Sequence, residues 1–317
     1  RQVGGRLQEV RGKIEALARE LNKEMARLVA VSKLMPNEAI MEAYEADQRH
    51  FGENYVQEIC EKAPQLPSDI KWHFIGHLQS NKAKMLVQGV PNLFMVESVD
   101  SSKLANQLDK ACDAVKRDLL QVMLQVNTSK EESKSGCEAE EAAAIASHIV
   151  NNCKRLKLAG LMTIGKLGDP NPEPYFKKLV ECRSMIAKEL GVEESSLLLS
   201  MGMSGDYELA IRMGSNNVRV GSTIFGERPP KVTSSQLIGH ALTASMAQEK
   251  SGGEQASPAV SGGAADKAAG QEGTVLATEG SWFQQTTSWI LRHPLSAASC
   301  LALAATCAYQ LRRLKLA

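Results

Sequence analysis

The sequence has no excess of charge of either sign, with 37 basic and 36 acidic residues and a formal net charge of +1. A nucleic-acid-binding protein needs a basic face, so this balance gives no support for nucleic acid as a partner. The seven cysteines contain no Cys-x-x-Cys pair. Scattered cysteines in odd number indicate free thiols in a reducing compartment, and they argue against a disulfide framework or a zinc site.

A metal-binding motif of the zincin type is also absent. His73 and His77 lie close together in the sequence, but they straddle the end of a predicted strand and lack the glutamate of a zincin helix. We therefore expect no metal. Two roles stay open for His77, which could hydrogen-bond a ligand or orient a loop.

What the sequence does have is a regular alternation of predicted strands and helices. Apolar residues at helical spacing predict a first helix at 3–22. Apolar runs then predict strands at 28–33, 50–53, 70–76, 93–97, 119–127, 156–164, 197–200 and 217–221. The helices predicted between them lie at 36–47, 54–63, 80–87, 101–115, 138–151, 172–190 and 206–213.

This alternation predicts crossover connections and a parallel sheet. Eight strands in this length of chain fit an α/β fold consisting of a single (β/α)8 TIM-type barrel with an N-terminal helix. A doubly wound open sheet is the alternative. We prefer the barrel because polar or reactive residues follow strand after strand, as expected for a ring of loops at one barrel mouth.

The last third of the chain has a different composition. We expect the barrel at 1–228, a flexible linker at 229–280 that is rich in Gly, Ala and Ser, and a hydrophobic helix at 281–317. The run 293–311 is uncharged and is flanked by Trp and Arg residues, which is typical of a C-terminal membrane anchor. An amphipathic or loosely docked helix is the alternative.

Lys33 ends the first predicted strand, and one residue, Ser32, separates it from the apolar run of residues 28–31. A lysine is rarely buried without a partner. On the strand alone, the preferred interpretation is structural, with the stem on the strand and the ammonium group in water. The second interpretation is a Schiff-base lysine that attacks an aldehyde.

Two loops rich in Gly, Ser and Thr follow the last two predicted strands, at 199–206 and 217–226. Such strand–loop–helix junctions offer free backbone donors, and barrels often place a phosphate site after strands seven and eight. In a closed barrel the eighth strand neighbours the first, so the phosphate site and Lys33 should lie close together. Pyridoxal 5′-phosphate (PLP) is a phosphorylated aldehyde that would bridge them.

The motifs along the first 228 residues closely resemble the pyridoxal phosphate homeostasis protein family, also called the proline synthetase co-transcribed proteins. The segments that carry the resemblance are VAVSK at 29–33, FGENYVQE at 51–58, HFIGHLQ at 73–79, GLMTIG at 160–165, SMGMS at 200–204 and VRVGSTIFG at 218–226. The resemblance implies a PLP-binding barrel like the N-terminal domain of alanine racemases.

The resemblance also implies the site residues. Lys33 would hold PLP as a Schiff base, Ser204, Gly221 and Ser222 would hold the phosphate, and Arg219 would face the pyridine nitrogen. Asn54 would line the pocket, and its position also suits an N-cap of the next helix. No catalytic residue is assigned.

The function that the resemblance implies is PLP homeostasis, in which the protein carries or buffers PLP without catalytic turnover and passes it to apo forms of PLP-dependent enzymes. An arginine at the pyridine nitrogen disfavours the protonated ring that an electron sink needs, and we expect no second domain that would supply a racemase base. The alternatives are a racemase-like PLP enzyme and a membrane-tethered adaptor. We expect a cytoplasmic monomer, tethered to an organelle membrane if 293–311 inserts.

Overall fold

The computed structural model describes residues 2–131, 135–166 and 168–227. Its eight strands form a closed parallel barrel in the order of the sequence, with β8 paired to β1, which confirms the predicted fold class. The strands are β1 (Arg27–Val31), β2 (His50–Glu53), β3 (Lys71–Phe74), β4 (Leu93–Val99), β5 (Leu120–Gln125), β6 (Leu156–Met162), β7 (Leu198–Ser200) and β8 (Asn217–Val220).

Helices follow the strands and cover the outside of the barrel. The α-helices are α1 (Gln2–Glu20), α2 (Asn37–Glu45), α3 (Val56–Lys62), α4 (Ala83–Gly89), α5 (Ser102–Ala114), α6 (Ala142–Asn152), α7 (Glu173–Leu190), α8 (Tyr207–Arg212) and α9 (Ser222–Phe225). The predicted helix 80–87 is in fact a 3-10 turn at Ser80–Lys82 that continues into α4. The predicted helix start at residue 101 and the predicted helix end at residue 190 are confirmed, since Leu104 N–H donates to Ser101 Oγ at the N-cap of α5 and Gly191, which follows α7, takes a left-handed φ of 66°.

The two faces of the strands contribute to two separate buried clusters, one outside and one inside the barrel. Alternate residues along a strand point to opposite faces, so Val96 of β4 joins the large apolar cluster beneath the helices while its neighbour Met95 joins a small methionine-rich cluster inside the barrel. His73, Glu97 and Arg219 also alternate with residues of the outer cluster, so they occupy the barrel interior. A polar layer therefore lies inside an apolar wall.

Barrel closure brings the two ends of this domain together. In the β1–β8 pair, Val29 is opposite Arg219 and Ala30 is opposite Val220. Lys33, just beyond β1, therefore lies at the same barrel mouth as Gly221, just beyond β8. This register is what positions the site.

In the part of the chain that the structure describes, no helix is both long and apolar enough to span a membrane. The predicted linker at 229–280, the hydrophobic helix at 281–317 and its uncharged run at 293–311 lie outside the described residues. The proposed division of the chain at residue 228 therefore stays a prediction.

Candidate functional site

A pocket of about 610 Å³ opens at the carboxyl ends of the strands. The structure brings all of the predicted site residues to its lining, namely Lys33, Asn54, Ser204, Arg219, Gly221 and Ser222. Arg219 belongs to β8 itself, and the others come from the segments that follow β1, β2, β7 and β8. A site at the carboxyl-terminal mouth is the usual arrangement in barrels of this type.

The loops after β7 and β8 are held against each other at one side of the pocket. Ser204 Oγ accepts hydrogen bonds from the N–H groups of Gly221 at 3.2 Å and Thr223 at 3.4 Å. Gly202 has a φ of 97°, and a side chain there would come within 2.9 Å of the Tyr207 Cα atom. Glycine is therefore required for this turn, and the two loops form one polar surface at the start of α9.

Arg219 reaches the pocket from inside the barrel, where it is 4% exposed. Its guanidinium donates to Ser200 Oγ at 2.5 Å and to the carbonyl oxygen of Thr163 at 2.8 Å. Burial lowers the pKa of Arg219, and the nearby Glu97 carboxylate opposes that shift. An arginine with such partners stays charged and fixed in one orientation.

Glu97 is the centre of a buried network that sequence reasoning did not find. Its carboxylate accepts hydrogen bonds from Ser200 Oγ at 2.5 Å, from Asn217 Nδ2 at 3.2 Å and from His73 Nδ1 at 2.6 Å. Burial alone would raise the pKa of Glu97, but the hydrogen bonds from His73 and Ser200 and the Arg219 charge lower it below its usual value. Its sequence signal was a carboxylate within an apolar strand, which requires a buried partner.

The two histidines of the HFIGHLQ segment have separate roles. Burial lowers the pKa of His73, so it is neutral and donates from Nδ1 to Glu97, while Nε2 accepts from His50 Nδ1 at 2.8 Å. Burial also lowers the pKa of His50, to about 3. His77 is outside the pocket lining and pairs with Ser135 Oγ at 3.0 Å, which favours the loop-orienting role.

Asn54 shows one prediction to be wrong. Helix α3 begins at Val56 with Tyr55 at the N-cap and without a side-chain cap, so Asn54 does not cap it. Instead Asn54 lines the pocket, and its buried Oδ1 atom has no hydrogen-bond partner among the described residues. A buried acceptor without a partner is costly, and a hydrogen-bond donor of a bound ligand would satisfy it.

The fold and the pocket together define a barrel of the alanine racemase type. The family model described as "Alanine racemase, N-terminal domain" matches residues 6–229. Solved structures agree on the fold, since alanine racemase from Corynebacterium glutamicum is 12% identical with a TM-score of 0.56 over 74% of this chain and 63% of that chain.

Curated relatives are more similar. The pyridoxal phosphate homeostasis protein of Homo sapiens is 48% identical over 66% of this chain and 79% of its own length, and that of Schizosaccharomyces pombe is 48% identical over 64% and 84%. PipY of Synechococcus elongatus, solved with PLP bound, is 34% identical with a TM-score of 0.59 over 71% of this chain and all of PipY. The chain belongs to the pyridoxal phosphate homeostasis protein family.

Proposed function

We propose that this chain binds PLP in the pocket at the barrel mouth and acts in PLP homeostasis as a carrier. The proposal rests mainly on the convergence of a lysine after β1 with the polar loops after β7 and β8 on one pocket. Membership of the family and the PLP-bound PipY structure support the same cofactor. When bound, PLP supplies an aldehyde that reacts reversibly with amines.

The roles follow from the chemistry of each group. The amine of Lys33 would hold the cofactor, and Ser204 with the backbone of Gly221 and Ser222 would bind its phosphate. Arg219 would oppose protonation of the pyridine nitrogen because two positive charges would then lie close together. Asn54 offers its buried acceptor to the ring substituents.

We further propose that holding and releasing PLP, without turnover of an amino acid, is the activity of this site. The support is the charged Arg219, whose contacts to Ser200 and Thr163 fix it at the pocket. A pyridine ring that stays unprotonated stabilises a carbanion poorly. Recipients would be apo forms of PLP-dependent enzymes, and we expect the protein to act as a monomer in the cytoplasm.

The purified full chain is expected to show the absorbance of a lysine-linked PLP near the visible edge, and borohydride should fix that PLP irreversibly. The same preparation should activate an apo PLP enzyme while it racemises no amino acid measurably. Chiral chromatography after incubation with a panel of L-amino acids checks the second point. Appreciable turnover of any of them would replace the carrier by the racemase-like alternative.

We also propose that the C-terminal run 293–311 associates with a membrane, on the basis of its lack of charge and the flanking Arg312 and Arg313. Deletion of 282–317 is then expected to move the protein from the membrane fraction to the soluble fraction. PLP content per protein should not change, since the deleted segment is separate in sequence from every pocket residue. Recovery of the full chain in the soluble fraction would rule out the anchor.

A further inference from the structure

Lys62, Glu53 and Glu58 form a buried ionic cluster that contacts Ser32, the residue after β1. Lys62, the last residue of α3, is 8% exposed, and its ammonium group has three acceptors. These are Glu53 Oε1 at 2.8 Å, Glu58 Oε1 at 2.6 Å and the carbonyl oxygen of Ser32 at 2.9 Å. An ammonium group has three N–H donors, so the three contacts use its full capacity.

The cluster holds the two peptide groups that flank Lys33. The carbonyl on its amino-terminal side, that of Ser32, accepts from Lys62. The N–H on its carboxyl-terminal side, that of Leu34, donates to Glu58 Oε1 at 2.6 Å. The direction of the Lys33 side chain is therefore fixed at both peptide planes by side chains of α3.

Two further observations indicate that this constraint costs free energy. Leu34 has a φ of 63°, in the left-handed region that a leucine rarely occupies. Glu53 is fully buried, and its Oε2 atom has no hydrogen-bond partner among the residues that the structure describes. Strained or unsatisfied groups persist where the surrounding structure holds them, and they concentrate at functional sites.

We propose that Lys62 and Glu58 are positioning residues that aim Lys33 into the pocket and so set the rate at which its amine reacts with PLP. This inference rests on the proposed function. In the reaction the amine nitrogen of Lys33 forms the bond to the aldehyde carbon, and the aldehyde oxygen leaves as water with the two amine hydrogens. Lys62 and Glu58 contact the peptide groups on either side of Lys33, so the role that we assign to them is to orient Lys33 and not to take part in the bond-forming step.

The test measures covalent and non-covalent binding separately in the full chain, stripped of PLP. Lys62→Met keeps the length of the side chain and removes its charge. Stopped-flow absorbance should show PLP attachment to this variant slowed about tenfold or more. The affinity for pyridoxine 5′-phosphate, which lacks the aldehyde, should stay within about twofold of wild type, because the phosphate-binding loops are untouched.

A second pair of variants keeps the test decisive if Lys62→Met does not fold. Glu58→Ala removes the acceptor for Leu34 N–H and should slow attachment, whereas Glu58→Gln keeps an oxygen there and should restore most of the rate. Glu61→Ala, at an exposed position of the same helix, is the matched control.

Wild-type attachment rates in Lys62→Met and Glu58→Ala would overturn the inference, as would an equal loss of pyridoxine 5′-phosphate affinity, which would indicate general damage to the pocket. Failure of the wild-type chain itself to attach PLP is a separate result, because it would refute the proposed function.

Discussion

Replacing Lys33 with alanine is expected to abolish the borohydride-fixed PLP and the absorbance of the lysine-linked cofactor. Lys33 lies just beyond β1, and β1 pairs with β8, so the loops that we propose bind the phosphate line the same pocket as Lys33. Alanine has no amine, so the covalent bond cannot form at this position. Non-covalent affinity for PLP should persist through Ser204, Gly221 and Ser222. Difference spectra and intact mass after reduction measure both effects.

The control for this experiment is Lys84→Ala, at an exposed position of α4 outside the pocket, which should retain full PLP attachment. Lys166 also lines the pocket and is the rival attachment site. Peptide mapping after reduction distinguishes the two. A pyridoxyl group found on Lys166 in the wild-type chain would contradict the role of Lys33.

Removing the Glu97 carboxylate is expected to produce the largest loss of stability. Glu97 is fully buried, and of the two carboxylates that act on the buried Arg219 charge, Glu97 and Asp206, it has the stronger effect. Its removal leaves the guanidinium largely uncompensated, and removing the partner of a buried charge typically costs about 3–5 kcal/mol. Glu97→Ala should lower the free energy of unfolding by about that amount, measured by urea denaturation.

The matched control is Glu181→Ala on α7. The Glu181 carboxylate is half exposed, so this substitution should change the free energy of unfolding by less than about 1 kcal/mol. A loss equally small in Glu97→Ala would show that the interior network contributes no net stability. The ionisation of Glu97 should also be visible in how the stability of the wild-type protein depends on pH.

The pKa of Glu97 is lowered in the folded state. Its contribution is therefore fully present above the unfolded pKa of about 4.3 and is lost as the pH falls through the lower folded value. The stability difference between wild type and Glu97→Gln should shrink in that acidic range. A difference that is constant between neutral and acidic pH would mean that Glu97 is not ionised in the folded protein.

Much of the fold could be predicted because each local signal agreed with the same architecture. Apolar strand runs alternated with amphipathic helices, and Ser101 and Gly191 marked helix ends that the structure confirms. The errors concern how strand ends turn into helices. Asn is a residue type that often caps helices, but Asn54 lies in the pocket lining and α3 begins two residues later.

The site could be predicted where it depended on chain order, and not where it depended on contacts across the interior. The closeness of Lys33 and Gly221 follows from barrel closure alone. In contrast, nothing in the sequence pairs Glu97 with Ser200 and Arg219, because these residues meet only when three strands surround one interior. In the sequence Lys62 likewise looks like an ordinary surface lysine of a helix. Only the structure shows that it is buried and therefore paired.

The pairing of β1 with β8 also has a consequence for biosynthesis. Lys33 is made early, whereas Gly221 and Ser222 belong to the last turn of the barrel to leave the ribosome. Contacts between distant parts of a chain form late, since loop closure must come first. A nascent chain or a fragment without β8 would carry Lys33 and Ser204 without Gly221 and Ser222, which we propose bind the phosphate. PLP capture should therefore report a complete barrel, and cofactor supply can stabilise only chains in which β8 has been made.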